Sequence, residues 1–470
     1  VGSEMCIRDR SKVEFSRTQK LLTALADVCV FIGGMYLSFY LRFGFTIPAR
    51  NLNDAKAAMV TGIIAFLLVN ALSGMYVLYN KTLLDIAVIT VVDQALVTIL
   101  IMALTFVGRW FAFPRSVLLI NFAVSTVLLG LWRLLEFKTY QKLRGVKRVM
   151  IVGPAEELNR SVVNFLSNRS SRHRLTHVVD GSYLEQIRDH LDEFDTVHVS
   201  DDLPDEDRLA IYDLLLREDK EIFLSTSFEH LLLVNPTIMS IEDEAIIAVS
   251  PFRIPAELDV FKRLSDILIA LVGLILASPV MLITAILVKA TSHGPVFYRQ
   301  TRVTRGGKEF NILKFRSMSA SAEKESGPML ATSHDPRVTP VGKYLRSLRI
   351  DELPQLFNVL VGDMSMVGPR PERPFFVEQF EQQNPHYHLR HSVRAGLTGY
   401  AQVYGKYASD FSAKLNFDLI YIKQYSLLMD VKILIQTVKI LFDKVSSRGV
   451  EDDEAPTDQV RLPEGVKHLS

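Results

Sequence analysis

The chain has 470 residues, of which 49% are hydrophobic and two are cysteine, with a formal net charge of +1 and a positive mean hydropathy. That is too apolar for an ordinary soluble protein, too balanced in charge for a globally basic nucleic-acid binder, and too poor in cysteine for a disulfide framework or a cysteine zinc site. A membrane protein with attached soluble parts fits.

The opening "VGSEMCIRDR" places a methionine at position 5 and relates to nothing after it, so residues 1–10 read as a non-native remnant. Four apolar stretches follow, near 21–41, 57–79, 83–107 and 116–135. Each is long enough for a spanning helix, which predicts a four-helix transmembrane bundle over 11–145 with no cleavable signal peptide. Arg17 and Lys20 precede the first stretch, Lys81 lies between the second and third, and Arg133, Lys138, Lys142, Arg144, Lys147 and Arg148 follow the fourth. By the positive-inside rule both ends of the bundle face the cytoplasm. Asp27 and Asp93 lie inside these stretches. Acids at that depth mark a functional site by default, but no proton-relay or transport pattern surrounds them, and interhelical hydrogen bonding in a polar bundle interior is the simpler reading.

"KRVMIVG" then opens an alternation of short apolar runs and helical stretches, continuing through "RLTHVV", "TVHVS", "EIFLS" and "AIIAV". It predicts a small parallel α/β domain, Rossmann-like and cytoplasmic, over 146–250. Its first turn, "GPAEEL", lacks the glycines of a dinucleotide fingerprint. Glu156 and Glu157 would repel phosphate where an anion site needs exposed amides. The domain is therefore expected to bind no dinucleotide and to serve packing, dimerisation or regulation.

Between Asp266 and Lys289 runs an unbroken stretch of 22 apolar or small residues, interrupted in character only by Ser278-Pro279. It is long enough to cross a bilayer, yet proline removes a donor and clashes with the preceding turn. Lys262, Arg263 and Asp266 flank it in front, at the expected membrane interface. Lys289, Arg299, Arg302, Arg305, Lys308, Lys314 and Arg316 follow it. A fifth crossing would export this more basic flank, against the charge rule. A helix broken at Ser278-Pro279 that re-enters from the cytoplasmic face satisfies both flanks, and the Ser278 hydroxyl can serve carbonyls freed by the proline. The alternative is a plain spanning helix with a tolerated proline.

From Lys289 to Arg349 there are 12 Lys or Arg against 4 acids, which suits anionic headgroups or phosphorylated substrates. "SLRIDELPQL" then sets Asp351 beside Glu352, and "VGPRP" holds Arg370 between two prolines. Taken alone, Asp351 reads as a helix N-cap with Pro354 in the first turn, and Arg370 as a surface arginine. Together they suit a divalent cation or a nucleophile beside a metal ligand, with a guanidinium for phosphate. The tail over 446–470, with "VEDDEAPTD", lacks apolar periodicity and reads as disordered.

The residues from about Phe261 to Phe442 resemble the bacterial sugar transferases, the polyprenyl-phosphate hexose-1-phosphate transferases. The matching motifs, in order, are "FKRLSDILIALVGLILASPVMLI", "GPVFYRQTRVTRGGKEFNILKFRSM", "LRSLRIDELPQLFNVLVGDMSMVGPRPERPFF", "RAGLTGYAQVYG" and "KLNFDLIYIKQYSLLMDVKIL". The complete chain resembles the long form of that family, of exopolysaccharide or capsule type. The resemblance implies a re-entrant helix with a mainly helical catalytic domain over 256–445. It also implies transfer of a sugar phosphate from a UDP-sugar to undecaprenyl phosphate with Mg²⁺ at the bacterial inner membrane. By motif, Asp351 corresponds to the nucleophile and Glu352 to its partner in the Mg²⁺ site. Ser278-Pro279 corresponds to the re-entrant break, and Arg370, Lys314 and Arg316 to phosphate-binding positions. Thr304, Phe417 and Ile420 depart from the family's usual glycine and tyrosines, away from the carboxylate pair. A homodimer through the α/β domain is expected from architecture alone. The other reading is a catalytically idle membrane scaffold of polysaccharide assembly. The transferred sugar is not encoded in these motifs.

Overall fold

The computed structural model describes residues 17–76, 83–110, 113–144, 146–167, 173–318, 337–405, 410–441, 462 and 465–469. The chain divides into two compact units, Val1–Ser225 with Pro456–Ser470, and Thr226–Ala455. Residues 1–10, Lys81 and "VEDDEAPTD" lie outside the described residues.

In the first unit, α1 (Arg17–Phe43), α2 (Ala49–Leu72), α3 (Leu83–Val107) and α4 (Arg115–Arg144) follow the predicted apolar stretches, and all are long and apolar enough to cross a membrane. Their polarity is inverted relative to a soluble bundle. Leu25, Ile64, Leu68, Ile99, Leu119 and Leu131 are exposed, while Asp27, Asn70, Asp93 and Arg133 are buried. That distribution belongs in lipid, where apolar side chains need no cover and polar ones must find each other. Arg133 pairs with Asp27 at 2.9 Å, donates to Thr90 Oγ1 at 3.1 Å and also reaches Asn70, while Ser73 donates to Asp93 at 2.7 Å. Asp27 and Asp93 thus hold helices together through a polar interior.

Six elements then alternate: β1 (Lys147–Val152), α5 (Ala155–Ser167), β2 (His173–Val179), α6 (Tyr183–Asp189), β3 (Thr196–Val199) and α7 (Asp205–Arg217), with β4 (Glu221–Leu224) closing the series. All four strands are parallel, in the order β2-β1-β3-β4. β1 ends with four fully buried residues, as expected for a strand covered on both faces. Two expectations are corrected. Lys467–Leu469 forms a further parallel strand on the free edge of β2, so this part of the tail is ordered; backbone pairing overrides its lack of apolar periodicity. The run at "AIIAV" lies in the second unit, where β6 (Glu244–Ala248) pairs antiparallel with β5 (Thr237–Ile241) after the short α8 (Phe228–Leu232). The parallel sheet therefore ends at Leu224 rather than near 250.

The second unit is built around α9 (Ala256–Thr291), 36 residues with Pro279 inside; the break expected at Ser278-Pro279 is not seen, and the helix runs on through both residues. β7 (Phe297–Val303) and β8 (Glu309–Phe315) form an antiparallel hairpin, turned at Gly306 and Gly307, whose positive φ of 69° and 72° favours glycine. β9 (Met364–Val367) and β10 (Ala395–Thr398) form a parallel pair. Helices Pro340–Ser347, Gln355–Val361, Pro374–Gln383, Phe411–Lys423 and Leu427–Leu441 surround them, which agrees with a mainly helical catalytic domain. Leu356, Val359, Met364, Val367, Leu419, Tyr421 and Ile433 form the core.

Both ends of α9 are gripped by this same unit. Near its start Lys262 pairs with Asp430 at 2.7 Å, and Arg263 donates to the carbonyls of Val359 and Leu360 at 2.6 and 2.8 Å. Asp266 accepts from the Met366 amide at 3.0 Å. Near its end Val288 packs with Phe315 and Leu345, and Arg316 donates to the Ser292 carbonyl at 2.7 Å. Between these anchors Leu268, Ile275, Leu276, Leu282 and Ile283 are exposed. Proline at 279 leaves the carbonyl of residue 275 without its helical donor, and Ser278 Oγ donates to that Ile275 carbonyl at 2.8 Å. Lys262 and Asp266, expected at the membrane interface, are instead buried at 1% and 2% exposure. Their charges are spent on Asp430 and Met366, so they anchor the helix rather than meet headgroups.

Candidate active site

Asp351 and Glu352 lie in a 3₁₀ turn, Ile350–Glu352, between the helices Pro340–Ser347 and Gln355–Val361. Arg349, at φ 53°, bends the chain out of the first helix, a conformation that an ordinary residue adopts only when its surroundings enforce it. The following helix starts after Pro354 without a side-chain cap. Asp351 is therefore not the N-cap that its position before Pro354 invites.

The two carboxylates are unequal. Glu352 Oε1 receives Lys314 Nζ at 2.8 Å and Arg370 Nη2 at 3.2 Å, and Arg349 stands 3.8 Å from Oε2. Burial by itself would raise its pKa, but Lys314, Arg370 and Arg349 together hold it well below the usual carboxylate range. Asp351 is 8% exposed and has no ion-pair partner among the described residues. Burial and the neighbouring Glu352 charge push its pKa up to about 6, against the weaker pull of Lys314 and Arg346. One carboxylate is clamped by cations and permanently charged. The other has no such clamp among the described residues and is mostly ionised above a pH of about 6.

Lys314 and Arg316 are two residues apart at the end of β8. Arg316 is buried, and its Nε and Nη1 have no hydrogen-bond partner among the described residues. A buried guanidinium with unused donors is costly unless an anion completes it. Arg370 is reached through a backbone device. Gly368 is so close to its neighbours that a Cβ there would lie 2.4 Å from the Arg394 carbonyl, and one at Gly396 would lie 2.1 Å from the Gly368 amide. The β9 and β10 ends thus touch backbone to backbone, and the loop carrying Arg370 emerges from that contact. Arg390 fixes it: its guanidinium binds Asp418 at 2.8 Å, the Tyr387 hydroxyl at 2.6 Å and the Arg370 carbonyl at 2.9 Å. Arg302 Nη1 donates to the Pro371 carbonyl at 3.1 Å.

The structure brings Asp351, Glu352, Lys314 and Arg370 into one cluster. Arg316 lies just past the end of β8, two residues beyond Lys314, and turns toward Ser292, while Lys262, Arg263 and Asp266 anchor the start of α9 and Ser278 and Pro279 lie in its middle. Sequence reasoning missed Arg349 and Arg346, visible only as members of a basic stretch. It also missed Arg390, Tyr387 and Asp418, which had no local signal.

The adjacent carboxylates of Asp351 and Glu352 offer the hard oxygen donors that Mg²⁺ prefers. Fold and site define a domain with a membrane-length helix and a cluster of cations around two carboxylates, of which Glu352 is held by Lys314 and Arg370 and Asp351 has no ion-pair partner among the described residues. Comparison with known proteins agrees. The family profile "Bacterial sugar transferase" matches residues 258–444. An Aeromonas hydrophila protein, "UDP-N-acetylgalactosamine-undecaprenyl-phosphate N-acetylgalactosaminephosphotransferase", is 48% identical over 190 residues, 40% of this chain and 45% of its own length. A Klebsiella pneumoniae "UDP-glucose:undecaprenyl-phosphate glucose-1-phosphate transferase" is 46% identical over 184 residues, 38% of this chain and 39% of its own. A Rhizobium leguminosarum bv. phaseoli "Exopolysaccharide production protein PSS" is 40% identical over 187 residues, 38% of this chain and 94% of its own. The chain belongs to the bacterial sugar transferase family. It matches less than half the length of the first two relatives, and the family profile falls within the second unit.

Proposed function

We propose that this chain is a phosphoglycosyl transferase that moves a sugar 1-phosphate from a UDP-sugar to undecaprenyl phosphate. The single observation that carries the mechanism is the inequality of the carboxylates. In the first half-reaction an Asp351 oxygen bonds to the β-phosphorus of the donor, the phosphoanhydride bond breaks and UMP leaves. In the second, an oxygen of the lipid phosphate bonds to the same phosphorus, the acyl-phosphate bond breaks and Asp351 is regenerated. Glu352, held by Lys314 and Arg370, keeps those cations next to the transferring phosphoryl group, where they offset its charge. Mg²⁺ would be held by Asp351 and Glu352 and would supply further positive charge there. Arg316 offers its unused donors to an anion. The two relatives at 48% and 46% identity are named for different sugars, so likeness of the catalytic half does not choose between N-acetylgalactosamine and glucose.

Purified protein incubated with donor labelled in the sugar phosphate, and no lipid acceptor, should acquire label at Asp351. Undecaprenyl phosphate should discharge it, and a panel of UDP-sugars should release UMP with one donor preferred. Release of UDP, or no release with any donor, would reject the reading, the latter in favour of an idle scaffold.

The same reading places α9 as a re-entrant helix, with the second unit at the cytoplasmic face of the bacterial inner membrane. Its support is that one unit holds both ends of α9 while its middle is apolar and exposed. A straight crossing would require that unit to stand on both sides of the bilayer. Cysteines at Phe261 and Arg299 should be labelled by an impermeant reagent only after the inner face is opened. Labelling of Arg299→Cys in intact cells would mean a true crossing.

A further inference from the structure

The α/β domain holds a second cluster of electron-pair donors. His177 on β2, His190 just after α6 and Glu193 in the next turn each present one nitrogen or oxygen within 4.8 Å of the others. A bulge in β2 produces this. The register with β1 shifts between Val149 and Met150, which pair with Leu175 and His177 and leave Thr176 as the extra residue; bulges of this kind re-aim side chains.

Hydrogen-bond accounting then fixes where the protons are. Thr176 Oγ1 donates to the Val149 carbonyl at 3.1 Å, so its only proton is committed. Its 3.0 Å contact with His177 Nδ1 must have the ring nitrogen as donor. Neutral His177 therefore carries its lone pair on Nε2, and that atom lies 3.0 Å from Glu193 Oε2. Two acceptors face each other. His190 repeats the pattern, because its Nδ1 lies 2.9 Å from the Gln186 carbonyl, which can only accept, so Nε2 is again the atom with a lone pair. Such a cluster calls for a cation.

We propose that His177, His190 and Glu193 form a binding site for a divalent transition metal of the zinc class. Two imidazoles whose other nitrogen donates to an oxygen, plus one carboxylate, match the ligand types and the outer-shell bonding that zinc uses, and the imidazoles favour such an ion over magnesium. Lys467, in the strand that pairs with β2 at His177, donates to the same Glu193 oxygen at 2.6 Å. A bound ion replaces that ammonium as the charge on Glu193, so occupancy of the site bears on how the carboxyl-terminal strand is held. The competing occupant is a proton shared between His177 and Glu193.

The test uses the full chain in detergent without a polyhistidine tag, stripped with chelator and kept in excess Mg²⁺. Titration with Zn²⁺ should give one saturable equivalent at micromolar concentration or tighter. Co²⁺ should develop the visible absorption of a nitrogen- and oxygen-ligated ion. His190→Ala and Glu193→Gln should each weaken binding at least about tenfold. The Glu193 side chain is 45% exposed, so its amide variant should fold, which thermal unfolding in chelator checks. Absence of saturable Zn²⁺ binding, or equal binding by wild type and Glu193→Gln, would overturn the proposal and leave the shared proton as the occupant.

Discussion

Two strands of this molecule end in the same three residues. β1 runs into Val152-Gly153-Pro154 and β9 into Val367-Gly368-Pro369, and each strand has a parallel neighbour, β3 and β10. Each glycine is required by close approach: a Cβ at Gly153 would lie 2.7 Å from Ser200 Cβ, and one at Gly368 would lie 2.4 Å from the Arg394 carbonyl. Beyond the prolines the two segments diverge. After Pro154 the chain enters α5 with Glu156 exposed in its first turn. After Pro369 it presents Arg370, whose carbonyl is held by Arg390 and whose guanidinium meets Glu352. The Gly-Pro turn is a backbone device for leaving a crowded strand end. Whether an anion can bind there is decided by the side chains beside it.

The largest effect that would break this contrast is at the carboxylate which the second turn serves. Asp351→Asn should lower turnover by on the order of 10³-fold or more, since an amide keeps the shape without the nucleophile; substantial turnover would mean that the Arg370 turn does not frame a reacting centre. Next, Arg370→Ala should cost on the order of 10²-fold, and Arg370→Lys less, because it keeps the charge but not the planar fork. Equal losses would assign Arg370 to packing. The pH profile comes third. Asp351 is reactive only when ionised, so kcat/KM at low Mg²⁺ should fall below a pKa of about 6, and raising Mg²⁺ should move that limb to lower pH. A limb that ignores Mg²⁺ would separate the metal from Asp351.

The smallest effects sharpen the comparison from its other side. Gly153→Ala and Gly368→Ala should each destabilise their own unit by about 1–3 kcal/mol through overpacking, read by limited proteolysis. Only Gly368→Ala should also lower turnover per folded molecule, because only that turn aims a functional arginine. Glu156→Gln should leave transferase activity within about twofold, the ordinary range for an exposed side chain away from the chemistry.

Much of the fold was legible because its signals are local. An apolar run long enough to span a bilayer is a sum over neighbours in sequence, and the five membrane-length helices follow from it. A proline's effect on its own helix is equally local, and the Ser278 bond to the Ile275 carbonyl could be anticipated from two adjacent letters. The Asp351-Glu352 pair and the proline-flanked Arg370 stood out for the same reason. The strand at Lys467–Leu469 did not, since a three-residue strand carries no periodicity and depends on the open edge of β2 nearly three hundred positions earlier.

The sequence by itself therefore determined which segments are apolar enough for lipid, where the adjacent carboxylates lie and which motifs recur. Only the tertiary structure decided how these charges are used. It turned Lys262 and Asp266 inward to Asp430 and Met366, set Arg390 on Asp418 to hold the Arg370 loop, and gave Glu352 three cations while leaving Asp351 with no ion pair among the described residues. The reason is that electrostatic interaction and desolvation depend on separation in space and on burial. Two adjacent carboxylates with the same formal charge become different groups only when the fold brings distant cations to one of them.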